Sequence, residues 1–275
     1  MVNIAPSRYD GDMRIALLQC APGAPDTAAG LARLDAAASR AAAAGAALLV
    51  TPEMFLTGYA IGPEAVATLA EPADGPAARE AAAIARRHGV ALLYGWPERD
   101  GDAVYNAVQL IDADGRRLAG YRKTHLFGAV DRGQFSAGRT LSPVVEVGGP
   151  QGAFRVALAV CYDIEFPEVA RALALAGAEA ILVPTANMAP FHSVATRLVP
   201  ARAEENTVFV AYANYVGHEG GFDYCGLSCV CSPDGRDLAR AGTGEELLVA
   251  DLDRARIDAA RTSLTYLRDR RPGLY

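Results

Sequence analysis

The sequence predicts an α/β fold, and three observations carry that expectation. Short apolar runs of β type alternate with Ala-rich stretches of helical spacing. The pattern occurs twice: AGAALLVTPE at 44–53 resembles AGAEAILVPTA at 176–186. Likewise YNAVQLIDADGRRLAG at 105–120 resembles YCGLSCVCSPDGRDLARAG at 224–242. In each half a helix feeds a buried strand and an Asp-Gly-Arg hairpin follows, so the chain reads as two related halves whose sheets face each other. The same strings are common grammar in α/β proteins, and at the level of sequence that reading stays open. No Pro/Ser-rich linker divides the halves, which predicts one domain over 1–275.

The elements follow in order. Residues 1–12 read as a flexible N-terminus, and the first strand is MRIALLQ, Met13–Gln19. A helix over 28–44 places Leu31 and Leu34 on one face, with Asp26 or Thr27 as N-cap and Gly45 as its stop. ALLV at 47–50 is a buried strand that ends at Thr51-Pro52-Glu53. A second helix, Pro76–His88, stops at Gly89, with His88 set against its dipole, and leads into the strand VALLYGW. Residues 105–123 read as a hairpin turning at Asp114-Gly115. The apolar run VALAV at 156–160 enters a short turn, and Pro167 opens a helix to about Leu175. Residues 262–275 read as a C-terminal arm that docks on a neighbouring copy.

Composition narrows the function. The 275 residues carry 26 basic and 32 acidic side chains, a net charge of −6, and no basic run, which excludes a nucleic-acid or anionic-membrane partner. Apolar residues make up 51% and charged residues 21%, which excludes general disorder. The longest apolar stretch, 41–52, is shorter than the ~20 residues of a spanning helix. MVNIAPSRYDGDMR lacks the apolar core of an export signal, so the expected compartment is the cytoplasm. Five cysteines, an odd number, predict reduced thiols rather than a disulfide framework.

Three strand ends carry the chemistry. Cys161 stands where a buried strand meets a helix N-terminus, a place where the dipole and free N–H groups favour a thiolate and donate to an oxyanion. A buried cysteine that merely fills core is the alternative. Glu53 is flanked by apolar residues, so desolvation raises its pKa and suits it to general-base work, unless it is a surface capping residue. Lys123 ends the hairpin in YRKTHLF, where a solvated rim lysine is the usual occupant. Strand ends collect at one edge of an α/β sheet, so the three can converge.

Glu in LLVTPEMFLTGY, Lys in YRKTHLF and Cys in VCYDIEFPE, in this order, resemble the nitrilase superfamily of carbon–nitrogen hydrolases. The likeness extends to PTAN at 184–187 and ARAEEN at 201–206. The resemblance implies a four-layer αββα sandwich of two pseudo-symmetric halves, and a catalytic triad. On that basis Glu53 is general base, Cys161 nucleophile and Lys123 the oxyanion cation, with the Tyr162 N–H as second donor. Members carry a further glutamate after the lysine; here Asp131, one methylene shorter, is the nearest equivalent, and Glu165 and Glu168 are the other carboxylates near the site. The resemblance implies no metal or organic cofactor, and a homodimer or larger homo-oligomer.

Tyr162-Asp163 after the nucleophile resembles the amidase branches, where true nitrilases place Trp-Glu. A small carboxamide is the expected substrate, cleaved through a thioester, with N-carbamoyl amides next and nitriles last. Tyr59, Asn187, Met188, Phe191 and His192 are the candidate substrate-binding residues, with core packing the alternative for Met188 and Phe191. His125 is expected to brace Lys123. Other readings are weaker. GTGEEL lacks the third glycine of a nucleotide fingerprint, and GLSCV fails the serine-hydrolase pattern. Cys225, Cys229 and Cys231 with His218 suggest zinc, but alternation puts 225, 227, 229 and 231 on one strand face as core fillers.

Overall fold

The computed structural model describes residues 12–149 and 152–274. The predicted flexible N-terminus thus lies, up to residue 11, outside the described residues. Strands β1 (Met13–Gln19), β2 (Leu48–Val50), β3 (Ala91–Asp100), β4 (Ala103–Ile111) and β5 (Arg117–Arg122) build the first sheet. Strands β6 (Val145–Gly149), β7 (Gly152–Leu158), β8 (Ala180–Pro184) and β9 (Phe209–Ala213) begin the second. A separate hairpin, β10 (Val216–Glu219) and β11 (Phe222–Cys225), precedes β12 (Cys229–Cys231) and β13 (Asp237–Arg240), which complete it. Strand β14 (Glu246–Leu252) returns to the first sheet.

The sheet orders are β14-β1-β2-β3-β4-β5 and β6-β7-β8-β9-β12-β13, and the two match strand for strand. In both, three central strands run parallel, two hairpin strands follow antiparallel, and an antiparallel strand covers the first edge. The repeat read in the sequence is therefore a repeat of topology.

Period-two alternation sorts each central strand between two cores. Met13, Ile15, Leu17, Leu48 and Val50 meet Phe154, Val156, Leu158, Phe209 and Ala211 between the sheets. The opposite residues of the first sheet pack beneath α1 (Thr27–Ala43) and α3 (Pro76–His88), which follow α2 (Pro63–Leu69) in space as neighbours of the Glu53 loop. After α4 (Gly128–Arg132), helices α5 (Pro167–Leu175) and α6 (Val199–Asn206) cover the second sheet over Ala157, Ile181, Val183, Val210 and Tyr212. The result is four layers, helix, sheet, sheet, helix.

Local signals explain the boundaries. The Asp26 carboxylate accepts from the N–H groups of Ala28 and Ala29 and so caps α1. Gly89 closes α3 in the left-handed region. Strand β3 runs beyond VALLYGW to Asp100 and turns back at Gly101, a hairpin that Pro97 hides from sequence reading. Its edge there is open to a loop: the Pro97 carbonyl accepts from Glu71 N–H, and no ladder bond needs a proline N–H. The cysteine run needs correction. Leu227 adopts φ 59 and breaks the strand, so only Cys229 and Cys231 share a face, beneath the second-sheet helices. Helix α7 (Arg254–Ser263) takes the first residues of the predicted arm, and α8 (Tyr266–Asp269) packs near α6. Among the described residues no helix is long and apolar enough to cross a membrane.

Candidate active site

Glu53, Lys123 and Cys161 converge from three strand ends, as the sequence predicts. Glu53 follows β2 in a fully buried loop, and its N–H donates to the Thr185 carbonyl at 3.3 Å. That loop passes so close to β3 that a Cβ at Gly95 would lie 2.7 Å from Met54 N, which only glycine avoids. The β10–β11 hairpin of the second half pins the loop: Glu219 accepts from the N–H groups of Tyr59 and Ala60 at 3.1 and 2.8 Å. Lys123 follows β5 and is fully buried. Its Nζ lies 2.8 Å from Glu53 Oε1 and 2.6 Å from Asp131 Oδ2. The shorter Asp131 thus reaches the lysine, because α4 carries it inward and the Phe127 N–H holds Oδ2 at 2.8 Å. Asn106, on β4, donates to Glu53 Oε1 at 2.6 Å.

Cys161 opens a 3-10 turn, Cys161–Glu165, with φ 48, so the chain reverses directly under the thiol. The Thr185 hydroxyl and the Ala186 N–H hydrogen-bond to its sulfur. Asp163 fixes the turn. Its Oδ2 accepts from Tyr121 Oη at 2.9 Å and Val160 N at 3.0 Å. Its Oδ1 accepts from Thr124 Oγ1 and His125 N, each at 2.9 Å. One buried carboxylate therefore ties the segment after Lys123 to the turn of Cys161. His125 joins through Nδ1 at 2.8 Å and stacks on Phe166 at 4.1 Å, and the Asp163 hydrogen bond raises its pKa despite partial desolvation.

Electrostatics follow from burial. Desolvation raises the Glu53 pKa, against the pull of Lys123. Burial works against the Lys123 ammonium, but Glu53 and Asp131 more than offset it and hold it charged. The Cys161 thiol is pushed far up, first by burial and then by the Glu53 carboxylate. The resting group is thus a thiol, contrary to the thiolate expected from the helix dipole: α5 begins only at Pro167, beyond the turn. Glu53 Oε2, Asp131 Oδ1 and Tyr59 Oη are buried with no hydrogen-bond partner in the structure. The Tyr59 ring centroid is 5.6 Å from Lys123 Nζ, so these unpaired oxygens gather around the ammonium.

The remaining predicted residues divide. Tyr162 stacks edge-on against Phe127 at 5.4 Å, and Phe127 against Phe191 at 5.7 Å, an aromatic rim beside the nucleophile. Asn187 does not present its amide: Nδ2 donates to the Phe191 carbonyl at 3.1 Å and braces its own turn. Met188 is buried in the core beneath α1, in a bridge with Tyr224. His192 is exposed, with Nδ1 3.3 Å from the Pro190 carbonyl, as the turn carries it outward. Glu168 is exposed, while Glu165 is half-buried and its pKa is raised by desolvation, opposed by Lys123 and Arg202. Asn106, Asp163 and Thr185 were not read as site residues. Cys229 and Cys231 approach Asp237, with ligand atoms within 4.8 Å, but Arg240 holds that carboxylate at 2.6 and 2.7 Å. His218 bonds Asp223 at 2.9 Å instead of joining them. Two surface cavities, about 310 Å³ beside Arg122 and about 610 Å³ beside His88, include none of the converging residues.

Known proteins share this arrangement of sequence and fold. The carbon–nitrogen hydrolase family matches residues 14–262. A "hydrolase in pqqF 5'region" of Pseudomonas protegens is 55% identical over 264 residues, 96% of this chain and 90% of that protein. An (R)-stereoselective amidase of Pseudomonas sp. is 39% identical over 261 residues, 94% of this chain and 92% of its own. An amidase of Nesterenkonia sp. AN1, solved with acrylamide added to its active-site cysteine, superposes with TM-score 0.81 at 38% identity, covering 95% of this chain and 98% of that one.

Proposed function

The chain belongs to the carbon–nitrogen hydrolase family, and from that premise we propose that it converts a small carboxamide to carboxylate and ammonia through a thioester on Cys161. That it is an amidase-type enzyme follows from its relatives. The observation that supports this route is Lys123 held at 2.8 and 2.6 Å between two buried carboxylates, next to a thiol too basic to ionise alone.

Glu53 takes the thiol proton as sulfur attacks the carboxamide carbon. The carbonyl oxygen becomes an oxyanion, met by Lys123 and by the Tyr162 N–H, which stands at the start of the turn where no intrahelical acceptor exists. Collapse expels the amine nitrogen with the proton from Glu53, giving ammonia and the acyl-enzyme. Glu53 then takes a proton from water, the hydroxide attacks the thioester, and the released sulfur recovers that proton. Asp131 keeps Lys123 charged and aimed throughout. Tyr59 and the Phe127–Tyr162–Phe191 rim suit a compact, partly apolar acyl group.

An N-carbamoyl amino acid would need a free cation for its carboxylate. Arg202 does not offer one: its donors go to the carbonyls of Ile164 and Glu165 and to Glu205. A panel of amides, N-carbamoyl compounds and nitriles matched in acyl group tests the proposal by ammonia release. The amides are expected to react fastest; a nitrile that outpaces its own amide overturns the amidase route, because linear nitriles need donors placed differently.

A further inference from the structure

A pair of hydroxyls reaches the thiol from the second sheet. Thr185 directly follows β8, and Tyr212 lies on neighbouring β9, paired with Val183. Both are fully buried, and Thr185 Oγ1 donates to Tyr212 Oη at 3.2 Å. The same Thr185 hydroxyl hydrogen-bonds to Cys161, while its carbonyl takes the Glu53 N–H at 3.3 Å and its own N–H donates to Ala213 at 2.9 Å. Thr185 therefore touches the sulfur and also fixes the backbone of the base. The Tyr212 ring is packed beneath α5 and α6 among Ile181, Val210 and Cys229, an apolar setting in which its oxygen is the polar exception.

We infer that Thr185 and Tyr212 form a two-hydroxyl switch that reorients toward sulfur as Glu53 removes the thiol proton. With a neutral thiol, the Thr185 O–H points to Tyr212, as observed. When the proton passes from sulfur to Glu53, the Thr185 O–H turns to the thiolate and the Tyr212 O–H turns to the Thr185 oxygen. Only hydroxyl rotations occur, and no further proton changes owner. The switch acts most strongly where negative charge sits on sulfur, so it lowers the acylation barrier rather than binding substrate. The water-poor surroundings strengthen each bond. Thr185 is then a catalytic residue, and Tyr212 a positioning residue acting through it.

This inference rests on Cys161 as the nucleophile. The charged and titratable groups around the sulfur are Glu53, Lys123 and Tyr59, with Asp131 behind the lysine; those facing Tyr212 are Glu165 and Cys229. Glu53 titrates in every variant, so the readout is a difference between variants. Tyr212→Phe deletes one oxygen and keeps the ring. Iodoacetamide labelling of Cys161 across pH, with peptide mapping, is measured beside the pH profile of kcat/KM. Labelling and kcat/KM at neutral pH are expected to fall about tenfold, and the labelling curve to move to higher pH, with KM unchanged. Parental labelling and kcat/KM curves in folded Tyr212→Phe overturn the switch. If that variant does not fold, Thr185→Val against Thr185→Ser decides: loss in Val with recovery in Ser supports it, and a parental Val variant overturns it. Failure of the underlying mechanism looks different, because Cys161 of the parent then stays unlabelled while activity is lost.

Discussion

Cys20 and Cys161 occupy the same place in the two halves. Ile15 pairs with Leu48 as Val156 pairs with Ala180, and the same count beyond those pairs leads to Cys20 and Glu53 in one half, Cys161 and Thr185 in the other. Tyr94 and Tyr212 correspond by the same reckoning. The first cysteine stays extended, bridges to Tyr215, and gives its sulfur to an Arg33 Nη at 3.2 Å; burial pushes its pKa up to about 12. The second turns at φ 48 and faces the Glu53 carboxylate of the opposite half. A strand end therefore supplies a slot for a cysteine and no reactivity. Reactivity arises when the slot of one half meets the carboxylate of the other.

The largest expected effect separates the two slots. Cys161→Ala should lower turnover by about four orders of magnitude or more, because the covalent step is gone. Cys20→Ala should keep kcat/KM and lose only about 1–2 kcal/mol of stability as its small buried side chain shrinks. Activity that survives Cys161→Ala and vanishes in Cys20→Ala, both read by ammonia release, breaks the comparison. Next comes the carboxylate side. Glu53→Gln and Lys123→Ala should each reduce kcat/KM by about 10²- to 10⁴-fold without unfolding the protein. The ionised Glu53 is the working form and its pKa is raised from 4.5, so kcat/KM should fall with acid through a midpoint above 4.5. A midpoint at or below that value rejects Glu53 as the base.

The smallest effect concerns stability. Glu179 stands before β8 where the first half has Ala47, and both N–H groups make the same bond, to Arg155 and Arg14 carbonyls respectively. Glu179 is held by Arg254 at 3.1 Å and by Arg155. Although burial opposes it, these partners lower its pKa below 4.5, so the fold prefers the ionised form. That stabilisation is present above the ordinary value and disappears as pH falls through the lowered one. Glu179→Gln should lower Tm by a few degrees at neutral pH and by less in acid. An equal loss at both ends would mean that the ion cluster adds packing and no charge stabilisation.

The triad residues were legible because each stands where an apolar run breaks off, a signal contained in a few neighbouring positions. Their supporters were not. Asn106 meets Glu53 across 53 residues of sequence, and Asp163 meets His125 across 38. Nothing beside Asn106 or Thr185 distinguishes them from ordinary strand and loop residues. Asp131 could be placed by its spacing from Lys123, but not the short α4 that makes an aspartate long enough. The turn after β8 misleads in the other direction: nearness to a strand end suggested a pocket role for His192, yet the chain leaves the sheet there and exposes it. The cysteine alternation failed at Leu227, whose positive φ no β pattern announces.

Strand β1 is the first strand formed and β14 the last, and they pair along their whole length, Met13 with Leu252 through Gln19 with Glu246. During synthesis the nascent β1 thus has one bare edge until nearly the entire chain has left the ribosome, an interval on the order of tens of seconds. Its apolar run is the kind of unpaired edge that invites association with other chains. The closing strand is accordingly both the seal of the first sheet and the end of that exposure, and chains stopped short of it keep the adhesive edge for good.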